Sequence, residues 1–204
     1  MLNRLRNFLR FRIVVYDENF FTDAWFKEWE NLSLVLAALI KSEPKWQAVL
    51  DFCCGPGVMI DLMTDRGLDY VGCDYSPEAR QLYLEHYGRY PEQYISDLKV
   101  AIAKHHDLLL SFDVLEHMRD DEIASLLDTI RSIPELLFNI SRARGIPGHI
   151  NFKSDRAWVN FMEEHGYRFE EVRSQKLRNL YTQQRPGSPD LWDRNLFLFS
   201  LVGS

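Results

Sequence analysis

The sequence predicts an α/β domain built on a doubly wound, mostly parallel sheet of seven strands, and three observations support that expectation. Short apolar runs alternate along the chain with stretches whose apolar residues recur at helical spacing, the pattern of repeated strand-helix units. At 204 residues, 46% apolar and 13% aromatic, the chain is long enough for one well-buried core and short for two. Its longest uninterrupted apolar run, residues 34–40, falls far below the roughly 18 residues of a membrane span.

Residues 1–13 set Leu2, Leu5, Leu9 and Ile13 at helical spacing among Arg4, Arg6, Arg10 and Arg12. That basic amphipathic stretch suits either a packed N-terminal helix or peripheral contact with an anionic membrane. Residues 1–22 are therefore expected to form a basic, aromatic segment ahead of a single domain over 23–204. From 23 to 41 the spacing of Trp25, Phe26, Trp29, Leu32, Leu36 and Leu39 predicts a helix that ends before Pro44. Residues 48–52 read as a buried strand, and Gly55-Pro-Gly57 turns the chain into a helix reaching Arg66. A second strand at 70–73 precedes a helix opened by Ser76-Pro-Glu, where the serine caps and the proline suits the first turn. A short third strand at 94–95, a strong fourth at 107–112, a helix at 119–133 and a fifth strand at 136–140 follow. Residues 154–165 predict a helix ended by Gly166, with Trp158, Phe161 and Met162 on its apolar face. Strands at 167–172 and 196–202 close the chain, separated by a polar stretch containing Arg185-Pro-Gly-Ser-Pro189.

The formal charge of −6 and a pI near 5.5 give no general attraction to nucleic acid. Cys53, Cys54 and Cys73 form neither a disulfide framework nor a zinc pattern, and the N-terminal arginines interrupt any secretory core, so a cytoplasmic location is expected. His105 and His106, ahead of the fourth strand, are expected on the surface.

In such a sheet the ligand lies at the carboxyl ends of the strands. Val-Leu-Asp-Phe-Cys-Cys-Gly-Pro-Gly, residues 49–57, ends the first strand in an acid and follows it with a glycine-rich turn. Glycines let backbone approach a ligand closely, and the Asp51 carboxylate accepts hydrogen bonds from a cationic or hydroxylated one. Asp74 at the end of the second strand suits both ribose hydroxyls of a nucleoside. Asp97 is placed to reach an adenine amino group, and residues 111–118, Ser-Phe-Asp-Val-Leu-Glu-His-Met, bring titratable groups to the same rim. A nicotinamide-binding fold is the nearest rival, but Ile60 occupies the third glycine position of G-x-G-x-x-G and the acid precedes the turn.

Together these segments resemble the class I S-adenosylmethionine-dependent methyltransferases over about residues 45–202. Asp51, Gly55 and Gly57 match the family's D-x-G-x-G-x-G, and Asp-Val-Leu-Glu-His is present whole as residues 113–117. The resemblance implies a Rossmann-like sheet with an antiparallel last strand and S-adenosylmethionine as cofactor, leaving S-adenosylhomocysteine. It places Asp51 near the methionine part, Cys53 and Gly55 beneath it, and Gly57 in the same turn. Asp74 would hold the ribose, Tyr75 join the cofactor site, Asp97 and Leu98 flank the adenine, and Phe112 and Asp113 line the wall near the sulfonium. Cys53 stands where the family has its first glycine, and a small thiol is accommodated there if residue 53 keeps ordinary strand dihedrals.

The expected reaction is methyl transfer to an oxygen or nitrogen of a small molecule or glycan precursor, with His117 and His149 as candidate bases. No metal is assigned. Asp113, Glu116, His117 and His149 would gather one only by analogy with the Glu-x-x-Glu-His of small-RNA 3′-end methyltransferases, and the first acid departs from that pattern. Residues 1–22 and a lid over 175–194 with Arg178, Tyr181, Arg185, Trp192 and Arg194 are expected to choose the acceptor. An RNA or protein methyltransferase is disfavoured by charge and by the lack of appended modules, and an inactive cofactor-binding regulatory protein has only Cys53 in its favour.

Overall fold

The computed structural model describes residues 22–144, 146, 148–185 and 195–203. Helix α1 (Asp23–Lys41) buries Leu32, Leu36, Leu39 and Ile40 along one stripe, as the sequence spacing predicts. Strand β1 (Ala48–Phe52) follows, then α2 (Val58–Thr64), β2 (Asp69–Cys73), α3 (Pro77–His86), β3 (Tyr94–Ile95) and the short α4 (Leu98–Ala101). Next come β4 (Leu108–Phe112), α5 (Asp120–Thr129), β5 (Glu135–Asn139), α6 (Asp155–Glu164), β6 (Tyr167–Phe169), α7 (Glu171–Gln184) and β7 (Leu196–Leu201). Ser76 accepts from the Ala79 amide at 3.1 Å with Pro77 at the first helical position, so α3 begins as its sequence signal requires.

The seven strands form one sheet in the order β3-β2-β1-β4-β5-β7-β6. Only β7 runs antiparallel, pairing with β5 on one side and β6 on the other. Strand order reverses between β1 and β4, which opens a crevice at the carboxyl ends of these strands. One face packs Leu36, Ile60, Tyr83, Leu177 and Tyr181 from α1, α2, α3 and α7. The other packs Ala101, Ile123, Leu127, Trp158 and Met162 from α4, α5 and α6. Burial of both faces explains the nearly continuous apolar runs of β4 and β5.

Three expectations change. The strand expected over 167–172 stops at Phe169, and residues 171–184 form α7, not part of a lid. Leu177 and Tyr181 are buried in the core, a helical pairing at i and i+4 that polar neighbours obscure in the sequence. Arg185, just beyond α7, binds Glu28 of α1 through Nη2 at 2.8 Å, which also ties it to the fold. His106 is buried, its Nε2 bonded to the Ala101 carbonyl at 2.9 Å, whereas His105 is exposed. The N-terminal segment 1–21 and the lid residues Trp192 and Arg194 lie outside the described residues.

Candidate active site

The crevice is floored by the turn after β1. Asp51 is buried on the face that also carries Val49, and Tyr70 donates its hydroxyl to Oδ2 at 2.9 Å. Burial pushes the Asp51 carboxyl up to about 7; the Tyr70 hydrogen bond opposes that shift and the nearby Asp74 charge adds to it. Asp74 joins the two turns, accepting from the Gly55 amide through Oδ2 and the Ser76 amide through Oδ1, each at 2.9 Å. Burial still outweighs those bonds and raises Asp74 to about 6. Tyr94 closes the turn from the side, donating to the Gly55 carbonyl at 2.8 Å.

Residue 53 does not keep strand dihedrals. Cys53 has φ 59, the left-handed region that favours glycine, while its amide still donates to the Cys73 carbonyl at 2.8 Å. The expectation that a thiol fits in an extended conformation is therefore corrected: the chain makes the glycine-type turn with a side chain in place. Burial also pushes the Cys53 and Cys54 thiols well above their ordinary range, so both stay protonated and unreactive. Gly57 has φ 64, and a Cβ there would lie 2.8 Å from Ile60 Cδ1, so the start of α2 admits no side chain without displacement.

Tyr75 is exposed beside Asp74, while Asp97 is exposed and caps α4 by accepting from the Lys99 amide at 2.8 Å. Leu98 is half-buried. Phe112 is buried at the end of β4, and Asp113 follows with φ 53, its amide donating to the Asn139 carbonyl at 3.1 Å. The cofactor residues expected from β1 to β4 thus all lie at or just beyond the carboxyl ends of four strands, the edge that the fold opens to ligand.

A second cluster begins after β4. Glu116 is fully buried; its Oε1 accepts from the Ser141 amide at 2.9 Å, and its backbone carbonyl accepts from the amides of Ile150 and Asn151 at 2.8 and 3.0 Å. These bonds draw the loop after β5 onto the segment after β4 and bring His149 to His117, with ring centroids 4.7 Å apart in an edge-to-face arrangement. His149 Nδ1 faces the Ala143 carbonyl at 3.0 Å; because a carbonyl only accepts, that nitrogen carries the proton, and in the neutral ring the lone pair is on Nε2. Burial, then the neighbouring His149, lower the His117 pKa and favour its neutral form. Burial and the Asp113 charge push Glu116 up to about 8. Ligand atoms of Glu116, His117 and His149 all lie within 4.8 Å of one another.

Residue spacing identified the acids and the histidines, but not Tyr70, Tyr94 or Asn139. Each is an ordinary strand residue in sequence, and only sheet register brings it to the crevice.

A family model described as a methyltransferase domain matches residues 26–138. No curated protein matches the sequence. Among solved structures, the chain is similar to magnesium protoporphyrin IX methyltransferase from Synechocystis PCC 6803 with bound SAM, at 16% identity and TM-score 0.55 over 100% of this chain and 91% of that one. It is also similar to the methyltransferase domain of bacterial CtHen1-C, at 16% identity and TM-score 0.57 over 85% of this chain and 98% of that one. A SAM-dependent methyltransferase from Archaeoglobus fulgidus aligns at 16% identity and TM-score 0.52 over 81% of this chain and 91% of that one.

Proposed function

Because the chain belongs to the methyltransferase-domain family, we propose that it transfers the methyl group of S-adenosylmethionine to an oxygen or nitrogen of a small molecule or glycan precursor. The observation that supports this most directly is the pair of buried acids, Asp51 and Asp74, joined by the Cys53–Gly57 turn at the switch point of the sheet. Asp51 faces the cationic methionine end, Asp74 offers its remaining lone pairs to the ribose, and Asp97, Leu98 and Tyr75 flank the nucleoside. Phe112 and Asp113 wall the sulfonium.

Transfer is an in-line displacement from an already activated donor, so the protein's work is to align the acceptor and exclude water. A hydroxyl acceptor must lose a proton. The Nε2 lone pair of His149 and the neutral form favoured for His117 suit that role. Calorimetric titration with S-adenosylmethionine and S-adenosylhomocysteine tests the core proposal; binding of one molecule per chain is expected, and no binding of either overturns it.

One observation favours a second reading, metal-assisted transfer. Glu116 Oε2 is buried without a hydrogen-bond partner among the described residues, close to the His149 and His117 nitrogens. Two imidazoles and a carboxylate suit a first-row divalent ion, which would lower the pKa of an acceptor hydroxyl in place of a base. Turnover that rises on titration with manganese and vanishes with chelator would establish this reading over direct base catalysis; turnover indifferent to both would remove it.

A further inference from the structure

Asp51 is held by a side chain that lies wholly inside the core. Tyr70 of β2 is fully buried and donates its hydroxyl to Asp51 Oδ2 at 2.9 Å. Oδ1 has no hydrogen-bond partner among the described residues, so one carboxyl oxygen is tied into the fold and the other is left for a ligand. The same hydroxyl lies 3.7 Å from Met59 Sδ of α2, a second and weaker acceptor. Burial, then the Asp51 charge, hold the phenol well above its ordinary range, so it stays a donor.

Sheet register creates this contact. Val49 pairs with Tyr70 and Asp51 with Gly72, which sets Tyr70 diagonal to Asp51 on one sheet face, within reach of a long side chain. Gly72, directly beside Asp51, admits no side chain: a Cβ there would lie 2.6 Å from Ile60 Cδ1 and 2.8 Å from Cys54 Sγ. On the other side Asp51 pairs with the apolar Leu110 of β4. The titratable groups whose charge reaches Asp51 are Asp74 and the thiols of Cys53, Cys54 and Cys73, all of which oppose its ionisation. No lysine, arginine or histidine is bonded to it among the described residues, so the Tyr70 hydroxyl is the group that favours the charged form.

The two acceptors let the phenol follow the state of the acid. When Asp51 is ionised, the hydroxyl donates to Oδ2. When Oδ2 carries a proton, that proton is donated to the phenol oxygen and the phenol hydrogen turns to the Met59 sulfur. Both arrangements keep the carboxyl in place, and the bond to the charged form is the stronger.

We propose that Tyr70 is a positioning residue of the donor site, which fixes Asp51 through Oδ2 and presents Oδ1 as the charged acceptor for the ammonium group of S-adenosylmethionine, so that loading of the donor releases a proton from this pair. The assignment rests on the methyl-transfer reading above. Tyr70 acts through Asp51 and does not touch the ligand.

The test is calorimetric titration of the full chain with S-adenosylmethionine across the range in which Asp51 ionises, comparing the wild type with Tyr70→Phe, Met59→Leu, Asp51→Asn and the Tyr70→Phe, Asp51→Asn double variant, each checked by thermal melting. In Tyr70→Phe the rise of affinity with pH should move up by about one pH unit or more, the worth of a hydrogen bond to a charged group. Near neutrality that variant should bind about tenfold more weakly, and the gap should narrow as pH rises. Met59→Leu keeps the phenol and removes its second acceptor, so it should leave the midpoint in place or lower it. With Asp51→Asn as background, Tyr70→Phe should change the affinity little and restore no pH dependence. A weakening in Tyr70→Phe that is equal at every pH would show a packing defect alone and would overturn the proposal. A midpoint raised in Met59→Leu as in Tyr70→Phe, or unmoved in Tyr70→Phe, would overturn it too. Failure of the wild type to bind S-adenosylmethionine at any pH would count against the methyl-transfer reading instead.

Discussion

Cys53 is the residue at which the sequence departs from the family turn and the backbone does not, so its substitution isolates a single atom. Replacing it with alanine and with glycine removes the thiol in both variants, and burial of the sulfur cancels from the comparison. What remains is a Cβ at φ 59. A left-handed conformation costs a non-glycine residue about 1–2 kcal/mol, and glycine's greater freedom in the unfolded chain returns about 0.5–1 kcal/mol of that difference. Cys53→Gly should therefore be more stable than Cys53→Ala by about 0.5–1 kcal/mol. For a chain of this length that corresponds to a gap in melting temperature of about 1–4 °C. Urea unfolding followed by circular dichroism gives the free-energy difference, and thermal melts give the gap. Equal stability, or an alanine variant above the glycine variant, would refute a left-handed residue 53 and with it the claim that the turn is strained. S-adenosylhomocysteine should bind the glycine variant at least as tightly as the wild type, because nothing is added beneath the ligand.

Glu135 gives an acid-stability prediction: burial raises its pKa, but Arg173, Lys45 and Trp46 outweigh that and hold it down at about 2. A depressed carboxyl contributes stability that is present above its unfolded value of 4.5 and is lost as pH falls through about 2, so Glu135→Gln should cost about 3 kcal/mol at neutral pH and almost nothing near pH 2, read from urea melts at both. The Asp51 carboxyl, raised to about 7 in the free protein, must ionise to hold a cationic donor. Affinity for S-adenosylmethionine should then rise about tenfold from pH 6 to pH 8 with proton release on binding, and Asp51→Asn should abolish most of that rise; a flat calorimetric profile in the wild type would contradict the assignment.

The order of elements was legible because period 2 and period 3.6 patterns are strong where one face is wholly buried. From 23 to 166 every strand and every helix but the short α4 forms close to where the apolar spacing puts it, and Ser76, Pro77 and Gly166 mark boundaries by local chemistry. The signal fails at 171–184 because α7 buries only a narrow stripe, Ser174, Leu177 and Tyr181, among charged and amide side chains. Beside the Arg185-Pro-Gly-Ser-Pro segment that polarity resembles a loop. His106 was misplaced for a related reason: proximity to a strand's amino end does not reveal the Ala101 carbonyl that α4 turns toward it. The acids of the crevice were legible from strand ends alone. Asn139 was not, since an asparagine closing a strand is common in any turn, and its meaning depends on the register that sets it beside Phe112 and Leu196.

The raised carboxyls also show what kind of ligand the crevice is built for. Asp51 and Asp74 are held above the ordinary carboxyl value of 3.8, so their stabilising effect on the folded state is complete below that value and is lost as pH rises through about 6 to 7. Near neutrality the empty crevice therefore carries partly ionised, poorly solvated acids, and a ligand bearing positive charge relieves them where a neutral one does not. A sulfonium with an ammonium group does so at the β1 end. The buried acids thus orient the donor before any base or metal acts, which is part of the alignment that an already activated methyl group requires.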